Sequence, residues 1–352
     1  MKATVSLPNI ILVLIFCTGV NLAVFGQDRY RIAVIGFYNL ENLFDTVNDT
    51  TINDEDFLPT GANLWTPDKY REKQGNMARV IAELGVEKTP DGVAILGVSE
   101  IENRKVLEDL VKEPAIAARN YQIVHHDSPD ERGIDVAMLY NPKYFKVTSS
   151  KMLPVIIYLD EQGDRQFTRD VLLVSGVFDG EPIHVFVNHW PSRRGGEKAS
   201  EPWRVKAASV CKKACDSLLA QDPKAKFIIM GDLNDDPVNN SVKEVLRAKK
   251  EKEEVRKGDM FNPFYNLYKK GLGTLAYRDA WSLFDQIILS PAWVQPEVGG
   301  YQYFQANVHG PNYLRQQSGQ FKGYPLRTYV GTEYRGGFSD HFPTYFYLVK
   351  KI

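Results

Sequence analysis

Eight short runs dominated by Val, Ile, Leu, Phe and Tyr punctuate the chain: "YRIAVIGFYNL" (30–40), "GVAILGVSE" (92–100), "IDVAMLYN" (134–141), "DVLLVSGVF" (170–178), "IHVFVNHW" (183–190), "KFIIMGDLN" (226–234), "FDQIILS" (284–290) and "FPTYFYLV" (342–349). Their length and β-branched and aromatic content predict strands. Between them, apolar residues recur every three or four positions over 67–85, 103–118, 197–221 and 240–256, which predicts helices. The charge run "KKEKEEVRK" closing the last of these reads as a solvated face. There are more strands than one small sheet holds, and neither a repeat nor a domain break interrupts them. The pattern therefore predicts one α/β domain over 27–352, with two sheets packed together and helices outside.

Composition narrows the picture without naming an activity. The 352 residues are 43% hydrophobic and 25% charged, with a net charge of −1, so overall charge gives no support for nonspecific nucleic-acid binding. The opening "MKATVSLPNIILVLIFCTGVNLAVFGQ" carries Lys2, an apolar run from Ile10 to Phe16 and small residues near Gly26. It reads as a signal peptide over 1–26, cleaved near Gly26. The run is too short for a bilayer span, so a secreted or periplasmic protein without stable membrane insertion is expected. Cys211 and Cys215 then remain, four apart on one predicted helix. A bridge there closes almost no loop, and free or structural thiols are expected.

The chemistry shows in where polar residues interrupt or end the apolar runs. Asn39 follows "IGFY", Glu100 follows "LGVS", His189 follows "VFVN", Asp232 and Asn234 flank Leu233 after "IIMG", and Asp340-His341 precedes the last run. Strand ends are rigid, and the loops beyond them shape pockets. Each residue alone has a plainer role as a cap or turn former. Glu100 suits a hard cation such as Mg²⁺, which takes one or two carboxylates and keeps waters. On an extended backbone Asp232 and Asn234 would face the same way, aiming a carboxylate base and an amide donor at one centre. The loop "PSRRGG" after His189 offers Arg193 for anion capture.

Taken together and in order, "FYNLENLFD", "LGVSEIENRKVLEDL", "RGIDVAMLYNP", "VNHWPSR", "IIMGDLNDDP", "LFDQIILS" and "FSDHFPTYF" resemble the endonuclease/exonuclease/phosphatase superfamily over about residues 31–349. The stretches "NLFDT", "NDEDFLP" and "NHWPSRRGG" are most similar to those of secreted bacterial members. The resemblance implies a four-layer αββα sandwich of two mixed β-sheets, and divalent-metal hydrolysis of phosphoesters. It implies Asn39, Glu100 and Asp340 on the metal side, with Glu100 the principal Mg²⁺ ligand and Mn²⁺ a substitute. Asp232 and Asn234 match the pair that orients and activates water. His341 matches the phosphate-contacting histidine, Asp285 the carboxylate that orients it, and His189 a second active-site histidine.

One region departs from the deoxyribonuclease pattern: Arg132 and Asp135 stand where that branch has a Tyr and a Glu. Arg132 is a candidate phosphate contact and Asp135 a candidate partner of His189. A serine hydrolase is disfavoured because no G-x-S-x-G elbow occurs, and a zinc hydrolase because no H-E-x-x-H occurs. The expected activity is Mg²⁺-dependent phosphodiester hydrolysis of the endonuclease type by a monomer. A phosphatase or phospholipase C-type hydrolase of inositol phosphates or sphingomyelin is the alternative, and a silent binding domain the third reading. The segment "FYNLYKKGLGTLAYRDAW" (264–281), with Lys269, Lys270 and Arg278, is a candidate wall for DNA or another phosphodiester substrate.

Overall fold

The computed structural model describes residues 29–159, 163–295 and 299–352. The segment read as a signal peptide, residues 1–26, lies outside them. Two sheets dominate. The first has six strands: β1 (Tyr30–Leu43), β2 (Val93–Ile101), β3 (Gln122–His125), β4 (Asp135–Tyr140) and, after the second sheet has been built, β12 (Gln302–Val308) and β13 (Thr344–Lys351). Their order is β12-β13-β1-β2-β4-β3.

The second sheet has seven strands: β5 (Phe145–Leu153), β6 (Val171–Phe178), β7 (Glu181–His189), β8 (Lys226–Asp232), β9 (Ala248–Lys249), β10 (Met260–Phe261) and β11 (Asp285–Leu289). Their order is β9-β10-β11-β8-β7-β6-β5. Each sheet has a central parallel pair, β1 with β2 and β7 with β8, flanked on both sides by antiparallel neighbours.

Period-two alternation decides which side chains meet. Ile35 and Phe37 of β1, Val185 and Val187 of β7, and Ile228 and Met230 of β8 form the core between the sheets. Their neighbours Val34 and Tyr38 turn outward onto Met77 and Ile81 of α1 (Pro67–Glu83) and Val106 of α2 (Arg104–Leu110). Phe186, Phe227 and Ile229 turn outward onto Ala207, Cys211 and Cys215 of α3 (Glu197–Gln221). Both faces of each sheet are thus covered, and the four layers run helix, sheet, sheet, helix. The sheets approach closely at Gly97, where a Cβ would lie 2.5 Å from Met230 Sδ.

Local signals set the helix starts. Thr66 Oγ1 accepts from Lys69 N ahead of Pro67, and Asn103 Oδ1 accepts from Val106 N, so each start has one of its free N–H groups satisfied. Cys211 and Cys215 are free and buried, as expected.

Two predicted helices are corrected. The one expected over 103–118 stops at Leu110, because Pro114 removes a donor and disfavours helical backbone at Glu113. The segment 240–256 holds only a wide helical turn at Ser241–Val245, the strand β9 and a short turn at Lys252–Glu254. Arg247 adopts φ 56° there and ends helical propagation. Among the described residues no helix is long and apolar enough to cross a membrane.

Candidate active site

β1, β2, β7 and β8 run out at the same edge of the sandwich where β11 and β13 begin, which brings the polar ends of six strands together. On the seven-stranded sheet the register does the positioning. Asp232 pairs with His189 across the parallel β8/β7 ladder and with Asp285 across the antiparallel β8/β11 ladder. The three residues therefore form one row, and paired residues in a row share a face.

His341 enters from the other sheet. Its Nδ1 lies 2.7 Å from Asp285 Oδ2, and its Nε2 lies 3.8 Å from Asp232 Oδ2. The backbone N–H of His341 donates to Ser339 Oγ, which itself donates to the Asn39 carbonyl at 2.7 Å. That chain ties the 339–341 turn to the end of β1.

Asp232 Oδ2 is the point of convergence. It receives Asn39 Nδ2 at 3.2 Å and lies 3.6 Å from His189 Nε2. Asn39 Nδ2 also reaches Glu100 Oε1 at 3.1 Å, while the Asn42 backbone N–H donates to Glu100 Oε2 at 3.0 Å. Glu100 sits at φ 58°, Asn42 at 49° and Glu41 at 47°. Non-glycine residues in this region cost about 1–3 kcal/mol each unless their surroundings enforce them. Here β1 and β2 lose regular pairing between Asn39 and Leu43, and that irregularity turns the Glu100 carboxylate into the cleft.

The environment separates the protonation states. Burial pushes the Asp232 carboxyl up to about 7; His341 pulls it back while Asp285 adds to the rise. Burial works against charge on His341, but the carboxylates of Asp285 and Asp232 hold it well above the ordinary imidazole range. Burial, followed by the positive charges of Arg169 and Arg132, keeps His189 well below that range and therefore neutral. The site thus pairs a poised carboxylate with one imidazolium and one neutral imidazole.

Several expected placements are corrected. Asn234 does not aim its amide beside Asp232, because the strand ends at Asp232 and Asn234 turns to φ 49°. Its Nδ2 donates to the Trp190 carbonyl, and its backbone N–H donates to Asp232 Oδ1 at 2.9 Å. Arg193 is not directed at a substrate. Its donors reach the Asn234 carbonyl, Asp236, Asn239 and Glu197, and it stacks over Phe284. It braces the Asn234 loop.

Asp340 accepts from Arg327 Nη2 at 2.9 Å, the same guanidinium that donates from Nε to Glu41. Asp135 does not orient His189; it meets His125 Nε2 at 2.8 Å and accepts from Ser128. Arg132 is half exposed, with Nε 3.4 Å from Asp130. The 264–281 segment does adjoin the site, since the Thr274 carbonyl accepts from Phe342 N and Trp281 stacks on Phe342.

Sequence reasoning missed a supporting network. Glu41 is buried and accepts from Arg327 Nε and Thr328 N, with Lys73 Nζ 3.6 Å away. A charged residue inside the buried run "FYNLENLF" is a usable signal for Glu41. Lys73 and Arg327 lie in helical and loop sequence that reads as ordinary surface.

The donor set fits a divalent cation. Oxygen atoms of Glu100 and Asp232 and a nitrogen of His189 lie within 4.8 Å of one another, and His189 Nδ1 and Asp285 Oδ1 are buried without hydrogen-bond partners. Two carboxylates and one neutral imidazole suit a hard or borderline ion.

Comparisons with known proteins agree with this fold. The model of the Endonuclease/Exonuclease/phosphatase family matches residues 34–350. A family protein from Bacteroides thetaiotaomicron superposes with TM-score 0.54 at 16% identity, covering 92% of this chain and 97% of its own. The humanized TDP2 of D. rerio gives 0.53 at 16% identity, covering 90% and 98%. The mannosyl-6-phosphatase Bt3783 of B. thetaiotaomicron gives 0.51 at 18% identity, covering 91% and 99%. No curated protein matches the sequence significantly. With the αββα layers, the convergent carboxylates and the match across nearly all of the described residues, the chain belongs to the endonuclease/exonuclease/phosphatase family of metal-dependent phosphoric ester hydrolases.

Proposed function

We propose that the protein is a Mg²⁺-dependent phosphodiesterase of the endonuclease type, acting in the periplasm or outside the cell. The observation that carries this reading is the convergence at Asp232 Oδ2 of a row residue, a tethered imidazolium and the Glu100 carboxylate. A phosphodiester is anionic and repels the incoming oxygen, so its hydrolysis needs positive charge on the non-bridging oxygens and a positioned water.

Glu100 would hold the ion, with Asp232 and His189 beside it, and the ion supplies electrophilic pull on a phosphate oxygen. Asp232 accepts the proton of the attacking water at Oδ2. Its Oδ1 is fixed by the Asn234 N–H, so the acceptor atom keeps its direction. The Nε2–H of His341, held by Asp285, donates to the phosphate oxygen on which charge accumulates. Neutral His189 adds one more donor or acceptor without adding repulsion to the ion. The water oxygen bonds to phosphorus as the P–O bond to the leaving group breaks in line, and the leaving oxygen takes up a proton to depart as an alcohol. Asp232 gives up its proton to solvent, and no covalent enzyme intermediate is required.

The nucleic-acid substrate draws support from the aromatic and basic 264–281 segment beside His341 and from a D. rerio TDP2 structure that holds a single-strand DNA product. The test is purified protein lacking residues 1–26, with Mg²⁺ or Mn²⁺, against plasmid DNA, an aryl phosphodiester, inositol phosphates and sphingomyelin, with Glu100→Gln as control. Plasmid nicking lost in the control is expected. Plasmid left intact while an inositol phosphate or sphingomyelin turns over would replace the nuclease assignment with the phosphatase or phospholipase one.

A further inference from the structure

Beside the backbone of His189 and Trp190 lies a cavity of about 160 Å³ whose lining includes Asp130, Arg132, Thr168, Arg169, Arg194 and Trp203. Its base is built on the same strand end as the active site. Arg169 donates from Nε to the His189 carbonyl at 3.2 Å and from Nη2 to the Trp190 carbonyl at 2.7 Å, and its Nη1 meets Asp130 Oδ2 at 2.9 Å. That guanidinium is buried, and each of its three nitrogens is engaged.

The charge balance of the cavity is uneven. Asp130 is the one carboxylate in its lining, and it already serves Arg169 while also lying 3.4 Å from Arg132 Nε. Arg132 keeps half of its side chain exposed, and Arg194 is exposed with no ion-pair partner among the described residues. Three guanidiniums thus face one carboxylate. Thr168 adds an independent sign of an unfilled site: it is 3% exposed, and its Oγ1 has no hydrogen-bond partner. An unpaired buried hydroxyl is destabilising, a penalty that an acceptor oxygen in the cavity would remove.

Arginine forks match phosphate oxygens better than any single point charge does. The cavity adjoins the reacting centre, because its Arg169 holds the backbone carbonyl of His189, whose ring faces Glu100 and Asp232. We infer that this cavity is a second anion subsite, built from Arg132, Arg194 and Thr168, that takes the phosphate next to the one being hydrolysed. The inference rests on the phosphodiesterase reading and deepens it: the preferred substrate carries two or more phosphates on one backbone, as an oligonucleotide does.

Steady-state kinetics on four probes test it: bis(4-nitrophenyl) phosphate, a dinucleotide, the same dinucleotide bearing a terminal phosphate, and a trinucleotide. The wild-type protein is expected to show KM about tenfold lower for a probe with the added phosphate, the scale of one charge-assisted contact. The trinucleotide and the terminally phosphorylated dinucleotide distinguish a flanking diester from a terminal monoester as the bound group. Arg194→Ala and Thr168→Val are expected to erase that gain in KM with little change in kcat. Both should leave bis(4-nitrophenyl) phosphate within about twofold, and Thr168→Val should keep or raise the melting temperature because it removes an unpaired hydroxyl.

Equal losses on all four probes, or no gain from the added phosphate in the wild type, would overturn the subsite while leaving the phosphodiesterase intact. Failure to hydrolyse any of the four would overturn the reading on which the subsite rests.

Discussion

His189, Asp232 and Asp285 occupy one register row of three neighbouring strands, whereas across the cleft Glu41, Asn42 and Glu100 hold left-handed backbone where regular pairing is lost. In the row, ladder hydrogen bonds already required by the sheet fix the geometry, and the side chains need few helpers. On the irregular side the backbone carries strain, so position depends on long-range support. Glu41 is tied to Arg327, Thr328 and Lys73, and Glu100 to Asn39 and Asn42. The first half therefore resembles a machined edge and the second a tensioned one, which predicts different failures when each is cut.

The largest effect is expected at the two carboxylates that face each other. Asp232→Asn should lower kcat on an aryl phosphodiester by about 10³- to 10⁴-fold, the range of a lost general base joined to a lost metal neighbour. Its melting temperature should hold or rise, because a carboxyl pushed up to about 7 by burial is costly to ionise. Glu100→Gln should lose a similar factor in activity together with Mg²⁺ affinity by calorimetry. Activity within tenfold of wild type in either variant would remove that residue from its role.

The contrast also explains what could be read from the chain. Asp232, His189 and the strands that carry them were legible because each residue closes an apolar run, whereas Asp285 opens its strand and was reached only through the family resemblance. Glu100 and Asn39 were legible from the same cue, although the backbone turn at Glu100 was not. Asn234 and Arg193 were misplaced for one reason: the strand was expected to continue to Asn234, but it ends at Asp232 and turns the amide toward Trp190. Arg193 then follows its loop partners. Glu41, Lys73, Arg169 and Arg327 escaped because their importance lies in contacts 13 to 287 positions away, which no helix or strand period encodes.

A smaller loss is expected when only the row's tether is cut. Asp285→Asn leaves the strand and its register in place but removes the charge that holds His341 protonated. Activity should fall about 10²-fold, the scale of one misoriented donor in the transition state. The His341 imidazole, followed by NMR, should titrate at lower pH than in the wild type. An unchanged titration would mean that Asp232 alone sustains the charge.

On the irregular side, Glu41→Gln should act chiefly through stability. It leaves Lys73 buried beside a neutral amide, and breaking a buried pair by removing one partner costs about 3–5 kcal/mol. Where the variant remains folded, the expected loss is about tenfold, appearing in Mg²⁺ affinity rather than in kcat at saturating Mg²⁺. A loss confined to kcat would place Glu41 in the chemistry and erase the distinction between the two halves.

The smallest effect is a pH dependence that separates the halves without mutation. The Asp232 carboxyl is raised in the folded protein from an ordinary 3.8 to about 7, so the folded state binds this proton more tightly than the unfolded chain does. Its contribution to stability is complete below about pH 4 and is lost as pH rises through about 7. His341, also raised, has the same sign: its contribution is complete below the ordinary imidazole value of 6.5 and is lost at higher pH. Metal-free protein should therefore melt a few degrees lower at pH 8 than at pH 5. A divalent ion binds the deprotonated carboxylate, so the gap in melting temperature between saturating Mg²⁺ and a chelator should widen over the same interval. A gap that stays constant from pH 5 to pH 8 would show that the ion is held by Glu100 and its strained neighbours alone, with the row taking no part in binding it.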